Sequence, residues 1–388
     1  MSESGAGMNI SHPGYTEAHT LYRDTLRRWV ADEISPFVDD WDEAGTFPRE
    51  LYSRAAEIGL LGLGFPTEYG GIEADRFFII IGAQELARAG AGGLSASLLS
   101  HTIGAPPILK GGSDAIKRAV LPDILIGRKI SALAITEPGG GSDVANLRAT
   151  AVRDGDDYVL NGSKTFITSG MRADYVTVAV RTGGPGRAGV SLILVPTDAP
   201  GFSRTPLDRK MGWWCSDTAT LYFDDCRVPA ANLLGVENEG FRLIMDNFNS
   251  ERLWLAAGCN GFAQVCLDEA ITYARERQTF GTALINHQAI RHKLADMAQR
   301  IRATQAYLEQ IAWQLDEGDN PIAGVCLLKN QATQTMEFCA REGVQIFGGA
   351  GYLRGAKVER IYREVRVNAI GGGAEEIMRD LAVRQMGL

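Results

Sequence analysis

The hydrophobic period of the chain changes twice, and those two changes constrain its fold more than any single motif does. From Tyr15 to roughly Gly127 apolar residues recur at helical spacing, as in Leu21, Leu26, Trp29, Val30 and Ile34, punctuated by Pro36, Pro66 and Pro122. From Ile130 the pattern becomes one of short β-branched or aromatic runs: Ser131 to Ile135, Tyr158 to Leu160, Tyr175 to Val180, Val190 to Val195 and Thr220 to Phe223. Gly, Asn and Asp turns separate them. After Gly235 long helical stretches resume, with Phe241, Ile244, Phe248, Leu255 and Phe262 on one stripe. The 388 residues exceed what one core usually holds. The order predicts an α+β chain: a disordered tail over 1–14, a helical domain over 15–128, a β domain over 129–234 and a helical domain over 235–388.

Several function classes lose their support in the same pass. A net charge of -8, with both signs interspersed, offers no basic stripe for nucleic acid and no polybasic patch for a membrane. No apolar run is long enough to span a bilayer, and the Ser/Gly-rich start lacks the order of a secretory signal. Six cysteines without CxxC spacing and five histidines without HExxH predict cytosolic thiols and no metal. A cytoplasmic protein is expected. There is no GxGxxG leading into a helix, no P-loop and no GxSxG elbow, which disfavours nicotinamide-fold and serine-hydrolase chemistry.

The loop Ile135 to Val144, Ile-Thr-Glu-Pro-Gly-Gly-Gly-Ser-Asp-Val, admits two readings. It is either a tight turn with Ser142 or Asp143 capping the next segment, or a cradle. In a cradle, Gly139, Gly140 and Gly141 would adopt positive φ and bring backbone amides close to a flat, polar-edged ligand.

Five segments in order carry a resemblance: ITEPGGGSDV, NGSKTFITSG (Asn161 to Gly170), ARERQTFG (Ala274 to Gly281), VQIFGGAGY (Val344 to Tyr352) and IGGGAEEIM (Ile370 to Met378). Together they resemble acyl-CoA dehydrogenases over nearly everything after Tyr15. The resemblance implies an N-terminal helical domain, a middle β-sheet domain of barrel-like form and a C-terminal four-helix bundle. It implies FAD lying on Leu133, Ile135, Thr136, Gly141 and Ser142 as floor and on Phe166, Ile167 and Thr168 as wall, with Thr168 bonding the ring N5. Arg277, Thr279, Phe280 and Gln288, with Gln345, Gly348 and Gly349, would reach the FAD of a neighbouring subunit. A homo-oligomer, expected as a tetramer, is then functional, and an electron-transferring flavoprotein is the expected electron acceptor. Rival structural roles remain open at this stage: Thr168 on a sheet edge, Phe280 in a core, Arg277 paired with Glu276.

Such a reaction needs a carboxylate to take the pro-R α-proton while a β-hydride leaves for flavin N5. Most of the family carries that Glu in a C-terminal Tyr-Glu-Gly-Thr segment. Here the stretch reads Gly371-Gly372-Gly373-Ala374, with Gly372 in the position of the Glu. Glu375 and Glu376 fall too late and resemble residues beside the adenine-side part of FAD, as does Ala374. A smaller branch, resembling isovaleryl-CoA and long-chain acyl-CoA dehydrogenases, places the base on the helix after the β domain, where Glu251 stands.

The residues themselves agree, because Glu251 lies three positions after Phe248 and four before Leu255, inside the apolar stripe. Its alternative is an ion pair with a core arginine. The expected roles are thus Glu251 as base and the Gly372 amide as donor to the enolate oxygen. Ser142, Phe248, Asn249, Arg252 and Gly373 are expected on the acyl-CoA. Gly371, Ala374 and Asn249 depart from the usual Tyr, Thr and Asp. The helix-borne base goes with medium-to-long or branched acyl groups in the family. An oxygen-using flavin oxidase or monooxygenase, an enoyl-CoA reductase and a non-catalytic flavin protein are the competing readings, and Glu251 weighs against the last.

Overall fold

The computed structural model describes residues 12–388. Residues 1–11, with most of the expected tail, lie outside the described residues. From His12 the chain is packed: the His12 ring stacks on Phe77 with centroids 5.1 Å apart.

The first domain is a group of helices, α1 (Glu17–Glu33), α2 (Val38–Ala44), α3 (Glu50–Glu57), α4 (Arg76–Ala87), α5 (Gly92–Leu98), α6 (His101–Gly104), α7 (Pro106–Gly111) and α8 (Asp114–Leu125). In α1 the spacing of Leu26, Trp29 and Val30 builds one buried face. Leu21 does not belong to that face and is exposed; five residues place it about 140° around the helix from Leu26. Asp75 caps α4, its carboxylate accepting from the Phe77 and Phe78 amides at 2.9 and 3.2 Å. Behind that cap the run Phe-Phe-Ile-Ile-Ile-Gly-Ala is apolar on nearly every side, so α4 is a buried helix shared between two cores.

The middle domain holds β1 (Ser131–Ala134), β2 (Thr150–Asp154), β3 (Asp157–Thr168), β4 (Tyr175–Arg181), β5 (Val190–Pro196), β6 (Phe202–Pro206), β7 (Thr218–Pro229) and β8 (Leu233–Leu234). Their order is β6-β7-β3-β2-β4-β5-β8, with β1 added parallel to β4. The other long pairings are antiparallel. One face of the sheet wraps a core containing Ala132, Leu160, Val178, Ile193 and Leu221. The opposite face of β4 and β5 packs Ala179, Leu192 and Leu194 against α7, α8 and the start of the next helix. Edge strands β6 and β8 do not pair with each other among the described residues, so the sheet curls over its core without closing.

The last domain is built from α9 (Gly240–Glu276), α10 (Gln288–Asp316), α11 (Ile322–Phe347), α12 (Lys357–Ile370) and α13 (Glu375–Gln385). A two-residue hairpin, β9 (Gln278–Thr279) and β10 (Thr282–Ala283), joins α9 to α10. Helices α9 to α12 share one core, which α4 enters through Ile80, Ala83 and Ala87. Among the described residues no helix is long and apolar enough to cross a membrane. Helix α9 also reaches the β domain, since Ile244 lies in the same core as Ile135, Leu147 and Leu192. The first turns of α9, the rim of the sheet and the short helices near Ile103 therefore meet at one place.

Candidate active site

Glu251 sits on α9 at that junction. One turn earlier, Asn247 donates from Nδ2 to the Ile103 carbonyl at 2.8 Å, and Phe248 packs on the core beneath the β-sheet rim. Glu251 forms no ion pair within the described residues, and its Oε2 is buried without a hydrogen-bond partner. The tie to a core arginine, left open by the sequence, is absent there. Burial pushes the carboxyl up to about 7, against the opposing pull of Arg252 and Lys329.

The glycine segment Gly371–Gly373 comes directly against this carboxylate. The Gly371 amide closes α12 by donating to the Val367 carbonyl at 2.7 Å, and Gly372 and Gly373 then take φ of 65° and 105°. Such angles suit glycine and penalise any side chain. A Cβ on Gly372 would stand 3.8 Å from Glu251 Oε1 and 3.4 Å from Leu255 Cδ1. A side chain at position 372 would therefore grow into the space beside Glu251. Arg252 Nε donates to the Gly372 carbonyl at 3.1 Å, and its Nη1 to Asn249 Oδ1 at 3.1 Å. Arg252 is buried, with its guanidinium over the Phe248 ring at 5.7 Å. Phe248, Asn249, Arg252 and Gly373 thus lie together around Glu251.

The β rim places the other residues singled out in the sequence. Strict alternation along β3 would keep even-numbered residues inward, as it does for Tyr158, Leu160 and Lys164. A register shift between Lys164 and Ile167 reverses this, so Ile167 is buried and Phe166 is turned out with 70 % of its surface exposed. Phe166 has φ of 59°, a rare state for a bulky residue. Thr168, next on the strand, pairs with Thr218 and is half-buried. Leu133 and Ile135 direct their side chains to the core beneath the rim, and Ile167 directs its own into the sheet core. Any ligand contact of Ile135 or Ile167 must then be made mainly by backbone.

The loop after β1 corrects one expectation. Gly139, Gly140 and Gly141 do not adopt positive φ. The turn is instead closed by reciprocal amide bonds between Glu137 and Gly140, each 3.1 Å, while the Thr165 amide donates to the Thr136 carbonyl at 2.9 Å. A Cβ on Gly139 or Gly140 would meet nothing within 4 Å. What these glycines leave is open space before Gly139 and Gly140, next to the exposed Gly141 and Ser142.

Two residues that hold this loop were not singled out from the sequence. Lys164, fully buried, donates to Glu137 Oε1 at 2.8 Å and to the Ile135 carbonyl at 3.0 Å. Glu137 also accepts from the Arg148 and Ala149 amides at 2.7 and 2.8 Å. Burial pushes Glu137 up, but the lysine and the two amides outweigh it and hold the carboxyl below its ordinary value. The sequence does carry a signal for the pair, since Lys164 occupies the inward phase of β3.

Most of the remaining residues gather at the far end of the bundle, where Tyr273 of α9 stacks on Phe347 of α11 at 4.3 Å; Ala374 and Glu376 instead follow Gly373 at the end that holds Lys329. Phe280 is not in a core: it tips the β9–β10 hairpin at φ 50° and is 99 % exposed, with the His287 ring edge-on to it at 6.0 Å. Thr279 Oγ1 lies 3.0 Å from His287 Nε2. Arg277, Gln288, Gln345, Gly348 and Gly349 are exposed beside it, and Arg277 makes no ion pair with Glu276. Ala374 leads into α13, where Glu376 is exposed on the first turn near Arg379. Within one chain, this end of the bundle presents an exposed aromatic and a set of polar groups whose side chains fill no space in their own subunit.

Residues 16–128, 132–226 and 238–387 match, in that order, the N-terminal, middle and C-terminal domains of acyl-CoA dehydrogenases. The chain is 37% identical over 372 residues to the cyclohexane-1-carbonyl-CoA dehydrogenase of Geobacter metallireducens, covering 96% of this chain and 98% of that one. It is 34% identical over 375 residues to the mitochondrial long-chain specific acyl-CoA dehydrogenase of Rattus norvegicus, covering 96% and 87%. The crystal structure of acyl-CoA dehydrogenase from Geobacillus kaustophilus superposes with a TM-score of 0.93 at 35% identity, covering 97% of this chain and 99% of that one.

Proposed function

The chain belongs to the acyl-CoA dehydrogenase family, whose cofactor is FAD, and from that premise we propose that Glu251 is the base of its α,β-dehydrogenation of an acyl-CoA thioester. The observation that carries the reading is the apposition of Glu251 Oε1 with the space before Gly372. The carboxylate that faces Gly372 comes from α9, and the glycine opposite leaves the room it needs.

The residues present fit the cofactor: open space before Gly139 and Gly140, an outward Phe166 held in a strained conformation, and Thr168 on the same rim. Bound FAD supplies the acceptor for the β-hydride. Glu251 takes the α-proton onto its carboxylate, and burial without a salt-bridge partner raises its affinity for that proton. The Gly372 N–H, which donates to no acceptor among the described residues, serves the thioester oxygen as negative charge develops there. One such donor is worth about 2.7–4 kcal/mol. Ser142, Phe248, Asn249, Arg252 and Gly373 border the path of the acyl-CoA. The space at Gly372 favours an acyl group that is branched or ringed near the reacting carbons, or a medium-to-long chain. Electrons pass on to an electron-transferring flavoprotein.

The test is anaerobic mixing of the yellow protein with straight, branched and alicyclic acyl-CoAs while flavin absorbance is followed. Bleaching is expected, fastest with the branched, ringed or longer groups. If no acyl-CoA bleaches the flavin, the dehydrogenase reading falls.

The exposed end of the bundle completes the proposal: Arg277, Thr279, Phe280, Gln288, Gln345, Gly348 and Gly349 cover the FAD of a neighbouring subunit in a homo-oligomer, and Ala374 and Glu376 flank its adenine side. Because the Phe280 ring packs on little of its own chain, Phe280→Asp should leave thermal unfolding of the protomer nearly unchanged. Flavin affinity should fall by about 2 kcal/mol, roughly 30-fold, the size of an aromatic hot spot. Full flavin content and unchanged oligomer mass in the variant would sink this assignment.

A further inference from the structure

Lys329 stands one helix away from the site, on α11, and no surface of it reaches solvent. Its Nζ donates to the Gly373 carbonyl at 2.8 Å, which is its one hydrogen bond among the described residues. A buried ammonium with a single neutral acceptor is an expensive arrangement, and an apolar side chain of similar volume would serve packing at least as well. Its position suggests what it is for. Gly372 and Gly373 are consecutive glycines with positive φ and no side chain of their own to lock them. The segment is instead clamped from outside, with Arg252 on the Gly372 carbonyl and Lys329 on the Gly373 carbonyl. Lys329 also presents its charge to the face of α9 that carries Glu251.

We propose that Lys329 is a positioning residue: by holding the Gly373 carbonyl it fixes the direction of the Gly372 amide, and by its charge it sets how readily Glu251 gives up its proton between turnovers. The proposal rests on Glu251 being the base. The two functions are physically separate, one geometric and one electrostatic. The groups acting on Glu251 are Arg252 on its own helix and Lys329 on α11, both favouring the carboxylate. Around Lys329 stand Cys259, Arg252 and Glu251 on α9 and Glu375 on α13. Burial pushes the Cys259 thiol up to about 12, so it remains neutral and does not cancel the lysine's charge. Burial also lowers Lys329 itself to about 8, against the pull of Glu375 and Glu251, which favour its charged form.

The test compares Lys329→Met and Lys329→Arg holoenzymes. In the Met variant, deuterium uptake by the amides of residues 371–374 should quicken while that of the α9 and α11 cores is unchanged. The kcat should fall about 10- to 100-fold, the scale of a misaligned donor, with KM moving much less. The acidic limb of kcat/KM should move to higher pH, because losing a cation raises the proton affinity of Glu251. Lys329→Arg, which keeps both donor and charge, should restore the limb and the exchange protection. A Met variant with the wild-type limb and wild-type loop exchange overturns the proposal, and so does an Arg variant that behaves like Met. Failure of the base assignment looks different: Glu251→Gln would keep its activity, while loop exchange in Lys329→Met would still report the clamp.

Discussion

Glu251→Gln is expected to slow the bleaching of the flavin by an acyl-CoA about 100- to 10,000-fold, the usual worth of a positioned general base. Gln keeps the size and reach of Glu, so its apposition to Gly372 is retained, and only the capacity to accept the α-proton is lost. The pH dependence of the wild type carries the same signature. With burial holding Glu251 near 7, the free enzyme should show kcat/KM falling about tenfold per pH unit below about 7 and level above it, since only the carboxylate is a base. Stability moves the other way. A carboxyl whose folded pKa is raised from 4.5 to about 7 favours the folded state below its unfolded pKa, and that contribution is lost as pH rises through 7. Glu251→Gln lacks this titration, so its stability relative to wild type should improve between pH 5 and pH 8. An inactive variant that melts at least as high as wild type at pH 8 identifies the loss as chemical. Bleaching by Glu251→Gln at the wild-type rate would remove Glu251 from the base role.

Glu251 is legible in the chain itself as a charge inside an apolar stripe, whereas its pairing with Gly372 is legible only through the resemblance, which puts a glycine run where a carboxylate is usual. Strands β1, β4 and β5 are legible for a similar reason, being rich in Val, Ile, Leu and Ala and buried on both faces. Strands β2 and β6, Thr-Ala-Val-Arg-Asp and Phe-Ser-Arg-Thr-Pro, give no such signal because they are short edge-like segments with charged outer residues. Helices α5 to α7 contain Gly92, Gly93, Gly104 and Pro106, which read as breaks. Their helical form comes from packing, as where Gly104 has no room for a Cβ against Ser131 and Ala132. The outward turn of Phe166 depends on a bulge whose existence requires β7 alongside, so period alone sends that ring to the wrong face. Phe280 stands exposed at the tip of its hairpin, where no rule of the subunit's own core places it.

Lys164→Met should be the most damaging single change to stability outside the hydrophobic cores, costing about 3–5 kcal/mol, the usual result of stripping one partner from a buried ion pair. The pair bridges β3 to the turn after β1, and with it goes the bond from Lys164 to the Ile135 carbonyl. The loop carrying Thr136, Gly141 and Ser142 is then tied to β3 only by the Thr165 amide, so flavin retention should weaken together with stability. The deficit should depend on pH in a definite sense. In the variant the Glu137 carboxylate keeps its two amide donors but loses its cation, and burial then raises its proton affinity. The difference from wild type is therefore largest at neutral pH and shrinks as pH falls to about 4.5 and below, where protonation first removes the unpaired charge of the variant and then breaks the wild-type pair. Adding Glu137→Leu to the variant should recover only part of the loss. It removes the stranded carboxylate but leaves the Arg148 and Ala149 amides without an acceptor, at about 1–3 kcal/mol for each buried group. Denaturant unfolding of wild type, single and double variants at pH 7 and pH 4.5 decides the matter. A single variant with wild-type stability at pH 7 would show that the pair is dispensable, and a double variant with wild-type stability would show that the two amides find acceptors elsewhere.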